Sequence, residues 1–136
     1  MSHFTTVKTR LVSSKHLVRA LRDMGYDEIE VHQEPQVLRN WMGGTTDRRA
    51  QVILRKGTLG KLSNDIGFLQ NDEGTLDFIG DEAGLGQALQ PWVEKLNQRY
   101  AYHVTKDLLA QQDFSLVEEE EDVDGAIHIT LRRMAN

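Results

Sequence analysis

The spacing of apolar and polar positions changes several times along this chain, and each change marks an element boundary. Residues 3–12 alternate loosely and are rich in Thr and Val, with Phe4, Val7 and Leu11 apolar, which predicts an opening strand. The spacing then lengthens. Leu17, Val18, Leu21 and Met24 recur at three and four, predicting a helix that Ser13 or Ser14 caps and that Gly25 ends in a left-handed turn. Beyond it, Ile29 and Val31 alternate with Glu28, Glu30 and His32 as in a half-buried strand. That strand either ends before Pro35 or continues as an edge segment, because proline has no amide hydrogen to give a ladder.

Residues 39–49 read as a loop, since Gly43-Gly44 lifts the steric bar on unusual backbone angles, and two large apolar residues, Trp41 and Met42, sit within it. Ala50 to Lys56 predicts a strand with Val52 and Leu54 opposed to Gln51, Ile53 and Arg55. Ile66 to Gln70 and Thr75 to Ile79 flank Asn71-Asp72-Glu73-Gly74, the pattern of an antiparallel hairpin. Gly67, inside the first of these strands, marks a bulge or a close approach by another backbone. A longer helix follows from Pro91 to Gln112 after a looser turn that begins near Glu82. Trp92, Val93, Leu96, Tyr100, Val104 and Leu108 form its apolar stripe, and it would span about 30 Å. Phe114 to Asp122 and Ala126 to Arg133 close the chain as a hairpin, with Asp124-Gly125 suited to a tight primed turn. No repeat or linker interrupts residues 1–136. The expectation is a single α+β domain: a mostly antiparallel sheet covered by two helices, with a C-terminal β-hairpin.

Composition narrows the function classes. The 136 residues include no cysteine, which removes disulfides, thiolate metal sites and thiol nucleophiles and fits a reducing compartment; a cytoplasmic protein is expected. Neither a signal peptide nor a run of roughly 18 apolar residues is present, so no membrane association is expected. Charge is unevenly divided. Residues 1–60 carry ten Lys/Arg against six Asp/Glu, a net of +4, and residues 61–136 carry six against fifteen, a net of −9. An acidic total counts against nucleic acid as a partner, because such binding draws largely on phosphate neutralisation. Arg48, Arg49, Arg55 and Lys56 supply local positive charge, but no strand carries the paired aromatics of an RNA-reading sheet.

Most motif-like stretches fail their own chemistry. Gly57-Thr58-Leu59-Gly60-Lys61-Leu62-Ser63 has two residues between its glycines where a phosphate loop needs four, and a turn signal follows it. No serine sits in a Gly-x-Ser-x-Gly elbow. The five histidines lack metal-ligand spacing; Glu30, His32 and Glu34 could share a strand face, but solvation is their simpler reading, and neither a metal nor a cofactor is expected. The acidic run Glu118 to Asp122 reads first as an edge strand made repellent to further pairing. Two clusters stand out. Asn64-Asp65 lies at the mouth of a predicted strand, and Arg99, Tyr102 and His103 lie within one helical turn, a combination suited to a polar contact or an anion. An equal reading is structural: Tyr100 is core, Asn64 and Asp65 make the turn, and Arg99 pairs with a carboxylate.

At these clusters the sequence resembles a known family. Met1-Ser2-His3-Phe4, Asn64-Asp65-Ile66-Gly67-Phe68, the Gln98 to His103 segment and the acidic C-terminal hairpin resemble the hypothetical chloroplast open reading frame thirty-five family of cyanobacteria, algal plastids and other bacteria. That family brings no established reaction with it. The resemblance implies an accessory role beside an AAA-type ATPase or a ferredoxin-associated system, in the stroma for plastid relatives. The hairpin also resembles a short domain encoded separately beside some relatives, which implies an interaction element. Two functional expectations follow. The first is a non-enzymatic accessory or protein-interaction protein with Trp41 and Met42 as exposed anchors, since aromatic residues often dominate interfaces. The alternative is a small-ligand-binding or catalytic site between sheet and long helix, built from Asn64, Asp65, Arg99, Tyr102 and His103.

Overall fold

A computed structural model describes residues 4–55, 64–81, 85, 88–112, 114–123 and 125–133. Met1 to His3, the Gly57 to Ser63 loop, Lys56, Asp124 and most of the looser turn after Glu82 lie outside the described residues. The elements are β1 (Thr5–Val7), α1 (Ser14–Asp23), β2 (Glu30–Arg39), β3 (Thr45–Leu54), β4 (Ile66–Gln70), β5 (Leu76–Gly80), α2 (Leu89–Gln111), β6 (Phe114–Glu121) and β7 (Ile127–Arg133). Five strands form one antiparallel sheet in the order β1-β5-β4-β3-β2, and β6-β7 forms a separate two-stranded sheet. The α+β architecture read from the sequence is the one observed.

One face of the large sheet carries the main core. Val52 and Leu54 of β3, Ile66 and Phe68 of β4, and Leu76 and Phe78 of β5 meet Leu17, Ala20 and Leu21 of α1 and Trp92, Leu96 and Tyr100 of α2. Trp92 lies 5.6 Å from Phe78 and 6.4 Å from Phe68 between ring centroids, and its indole N–H donates to the Tyr26 hydroxyl at 2.9 Å, so the buried polar atom is satisfied. Ser13 caps α1 by accepting from the His16 amide, and Gly25 adopts a φ of 102° just past its end, as the sequence predicts. Leu108, at the end of the predicted stripe, is exposed, because the last turns of α2 run past the sheet-facing core.

The second face is also covered, which period-two reasoning did not anticipate for Ile53. Strand β2 does not stop at Pro35. Between Val31, opposite Val52, and Gln36, opposite Ala50, it carries five steps against two, and Pro35 lies in this bulged stretch where no ladder hydrogen bond is required. A further irregularity follows between Val37 and Arg39. The bulges fold the outer half of the β2-β3 hairpin back across the sheet. Arg48 hydrogen-bonds to the Thr6 hydroxyl on the opposite edge, and Leu38, Ala50, Ile53 and Ile79 form a second buried cluster. The predicted 39–49 loop therefore shrinks to residues 40–44, with strand on both sides.

Three hairpins close with the same pair of backbone hydrogen bonds. In each, an Asn or Asp amide donates to the carbonyl four residues on, and its own carbonyl accepts from a glycine three residues on. The pairs are Asn40 with Gly43, Asn71 with Gly74 and Asp122 with Gly125, and these glycines have φ of 85°, 87° and 84°. This is a three-residue turn with a glycine bulge. Each Asx side chain accepts further turn amides: Asn40 Oδ1 from Met42 and Gly44, Asn71 Oδ1 from Glu73 and Thr75, Asp122 Oδ1 from Ala126. The two-residue primed turn expected at Asp124-Gly125 is thus corrected: Asp122 opens a longer turn and Gly125 supplies its left-handed position.

Gly67 is closely approached, by the side chains of Ala50 and Leu38 where a backbone was expected. A Cβ there would lie 2.5 Å from the Ala50 Cβ and 3.0 Å from Leu38 Cδ2. Gly67→Val is expected to lower stability by about 3 kcal/mol through overpacking between the sheet and the folded-back hairpin. Chemical denaturation checks this, and a variant as stable as the wild type would mean that the hairpin does not press on β4.

Candidate functional site

The five candidate site residues fall into two groups with different partners. Asn64 and Asp65 lie just before β4 and are 2% and 0% exposed, which demands partners for both side chains. Asn64 Oδ1 accepts from the Trp41 amide at 2.6 Å while its Nδ2 donates to Asp81 Oδ2 at 2.8 Å. Asp65 Oδ2 accepts from the Arg39 amide at 2.6 Å and from Arg55 at 2.8 Å, and the Asp65 amide donates back to the Arg39 carbonyl at 2.9 Å. Arg55 also donates to the Val37 carbonyl and to both oxygens of Glu30. Its hydrogen bond, working against burial, holds the Glu30 carboxyl below its ordinary range. His32 Nε2 lies 2.8 Å from Glu30 Oε1, so Glu30, read from the sequence as solvated, is engaged by Arg55 and His32.

This first group positions Trp41 and Met42. Asn40 organises the turn from within, Asn64 holds the Trp41 backbone from beneath, and the two side chains stand at the hairpin tip, 44% and 74% exposed. Exposed Arg39 and Arg49 and half-exposed Arg48 flank them on β2 and β3. The tip is therefore apolar at its centre and mostly basic at its margin, with Asp47 the intervening acid.

Arg99, Tyr102 and His103 form the second group, on α2. The sequence places them together and allows Arg99 a carboxylate partner, but does not identify the two acids that join them. Arg99 reaches Asp23 Oδ2 at the last residue of α1, from Nε at 2.8 Å and from a terminal nitrogen at 2.7 Å, and Glu119 Oε1 of β6 at 3.2 Å. His103 Nε2 lies 2.6 Å from the same Asp23 oxygen, and Tyr102 donates to Glu119 Oε2 at 2.7 Å. The Arg99 guanidinium also sits 4.5 Å from the Tyr102 ring centroid. A carboxylate at a helix C-terminus opposes the helix dipole, and the Arg99 guanidinium with the His103 hydrogen bond offsets that cost.

Burial raises the Asp23 carboxyl, but hydrogen bonds from Arg99 and His103 outweigh it and hold the group below 3.8. The Tyr102 hydrogen bond, against some desolvation, does the same for Glu119, holding it below 4.5. Burial followed by the bond to Glu119 pushes the Tyr102 phenol up to about 12. The Arg99 fork is shared between two carboxylates, so this group works as a clasp that ties α1, α2 and the C-terminal hairpin together. The signals for it were an acid in the last turn of α1 and the acidic run itself, of which Glu119 binds the clasp and Asp122 caps its own turn and lies 2.8 Å from His128. Among the described residues, no group of three His, Cys, Asp or Glu side chains is arranged to hold a metal ion.

The fold and these contacts define a single-domain α+β protein whose two polar networks brace a protruding apolar hairpin tip and a C-terminal ribbon. The chain belongs to the family described as a protein of unknown function (DUF1257), whose model matches residues 20–130. Relatives described as "Uncharacterized protein ycf35" come from Cyanophora paradoxa, 29% identical over 98% of both chains, and from Pyropia yezoensis, 26% identical over the same shares. These agree with the family resemblance read from the residues. No solved structure matches the chain at a significant level. No described helix is long and apolar enough to cross a membrane.

Two pH effects follow. Asp23 and Glu119 have lowered folded values, so their stabilisation is present above their ordinary values of 3.8 and 4.5 and is lost as pH falls through the folded ones. Melting temperature is expected to drop on acidification below about pH 4.5, and less steeply in Arg99→Gln. Tyr102 has the opposite sign: its contribution persists below its ordinary 10.0 and fades as pH rises through about 12. Ultraviolet titration should show a late-ionising tyrosine that Tyr102→Phe removes; an unchanged curve would refute the clasp at Tyr102.

Proposed function

We propose that this protein is a non-enzymatic accessory protein that docks on a protein partner through the Trp41-Met42 tip. One observation carries the reading: two large apolar side chains project from a turn whose backbone is held by Asn40 on one side and buried Asn64 on the other. A rigid tip loses little conformational freedom on binding, so more of the contact energy appears as affinity. Tryptophan, methionine and arginine are the residue types enriched at interface centres, and this hairpin carries all three. The mostly basic margin calls for an apolar pocket with an acidic rim. We place the protein in the cytoplasm, or the stroma of plastid relatives, where a chain without cysteine fits. The AAA-type ATPase and ferredoxin systems implied by the family resemblance are the first partners to offer it.

The test replaces Met42 with a photo-crosslinking amino acid, identifies the crosslinked protein in native extract, and measures binding of the purified pair. Trp41→Ala is expected to weaken that affinity roughly 30-fold, about 2 kcal/mol, as interface centres do. Equal affinities of Trp41→Ala, Met42→Ala and wild type would remove the tip from the interface. A crosslink to nucleic acid alone, with binding that falls steeply with salt, would replace the protein partner with RNA or DNA.

A further inference from the structure

A cavity of about 620 Å³ opens between the segment leaving β1 and the middle of α2, remote in chain position from the Trp41 tip. Its floor is apolar: buried Leu11 and Tyr100, with half-buried Val93 beside them. Exposed Lys8 and Arg10 line one side and the Asn97 amide another. Among the described residues, no acidic side chain lines it and neither cation takes part in an ion pair. That differs from Arg19, Arg55 and Arg99, each of which is engaged by a carboxylate.

The walls are built before any ligand arrives. Thr9 donates its hydroxyl to the Leu76 carbonyl and accepts from the Leu11 amide at 3.0 Å, while the Leu11 carbonyl accepts from the Leu76 amide at 2.7 Å. The Tyr100 hydroxyl accepts from the amides of Val12 and Ser13 at 3.0 and 2.9 Å, which locks α2 against the strand-to-helix connection. None of these bonds uses Lys8, Arg10 or Asn97. The cavity lies within the roughly 300–1,000 Å³ of small-molecule sites, and its lining is divided between polar Lys8, Thr9, Arg10 and Asn97 and more apolar residues such as Leu11 and Val93.

We propose that this cavity binds a small amphiphilic organic anion. Lys8 and Arg10 hold a carboxylate or phosphate head, and Leu11, Val93 and the Tyr100 ring cover an apolar body. Arginine can grip either head with two parallel hydrogen bonds, and lysine adds a point charge. The site shares no residue with the hairpin tip, so it stands or falls separately from the docking role proposed above.

The probes are octanoate, octyl phosphate, neutral octanol and acetate, titrated into the full chain by calorimetry and by amide NMR. Saturable one-to-one binding of octanoate or octyl phosphate is expected, with shifts at Leu11, Asn97 and Ala101, and the tighter of the two identifies the head group. Octanol and acetate should bind at least roughly tenfold more weakly, each lacking half of the recognition. Lys8→Gln with Arg10→Gln should weaken octanoate or octyl phosphate at least roughly tenfold without changing the melting temperature, because both side chains are exposed. Ala101→Trp, an exposed substitution on the cavity wall, should block binding by filling it. Octanol binding as tightly as both anions, anion binding that survives the double substitution, or no saturable binding of either anion would each overturn the proposal.

Discussion

The carboxylate of Asp65 is the point on which the rest of the architecture turns. A fully buried acid must be matched by donors, and leaving one unmatched would cost several kcal/mol. Its donors come from the Arg39 amide and from Arg55, which also reaches Val37 and Glu30. One residue between β3 and β4 thereby gathers both ends of β2 around itself. With β2 bent through its bulge at Pro35, the hairpin has to lie over Gly67, and the second sheet face is buried beneath it. A side chain at position 67 would deny that approach, so the glycine and the carboxylate serve the same fold-back.

A second constraint governs the C-terminus. Two-stranded ribbons are marginal in water by themselves. Here β6-β7 is not an extension of the large sheet, and Glu119 secures it to α2 through Tyr102 and Arg99. Because Arg99 also binds Asp23, ribbon and helix pair are linked through one guanidinium. Acidity in β6, which looks like simple protection of an edge, is therefore partly structural.

Much of this fold was legible where local chemistry and tertiary packing agree. Ser13 and Gly25 bracket α1, the Asn71 to Gly74 turn closes β4 onto β5, and the spacing of Trp92, Leu96 and Tyr100 marks the sheet-facing side of α2. Legibility failed where long-range contacts decide. The outer half of the β2-β3 hairpin reads as a loop because its strand pattern is interrupted by a proline and short of apolar residues, and only burial against Gly67 restores it. The candidate site divides for a similar reason. Asn64 and Asp65 stand out in the sequence as polar residues beside a strand, yet nothing local indicates that their partners would be Trp41, Arg39, Arg55 and Asp81, which come from the β2-β3 turn, the end of β2 and the residues just after β3 and β5. Arg99, Tyr102 and His103 are neighbours by helical spacing, but Asp23 and Glu119 reach them from about 76 residues earlier and 20 residues later in the chain.

The three matching turns allow a comparison that separates folding from function. Each turn needs an Asx residue at its start and a glycine in the left-handed position, and the two residues between them face few backbone demands. At Asn71 to Gly74 those two are Asp72 and Glu73, the polar choice that solvent favours. At Asp122 to Gly125 the first is Val123, fully exposed. Between Asn40 and Gly43 they are Trp41 and Met42, although the same turn forms with two acids. Turn geometry therefore does not account for a tryptophan and a methionine at that tip, and the core does not bury them. What remains is an exposed apolar pair whose backbone is held by a buried asparagine, and that is the physical basis for proposing the tip as a docking element.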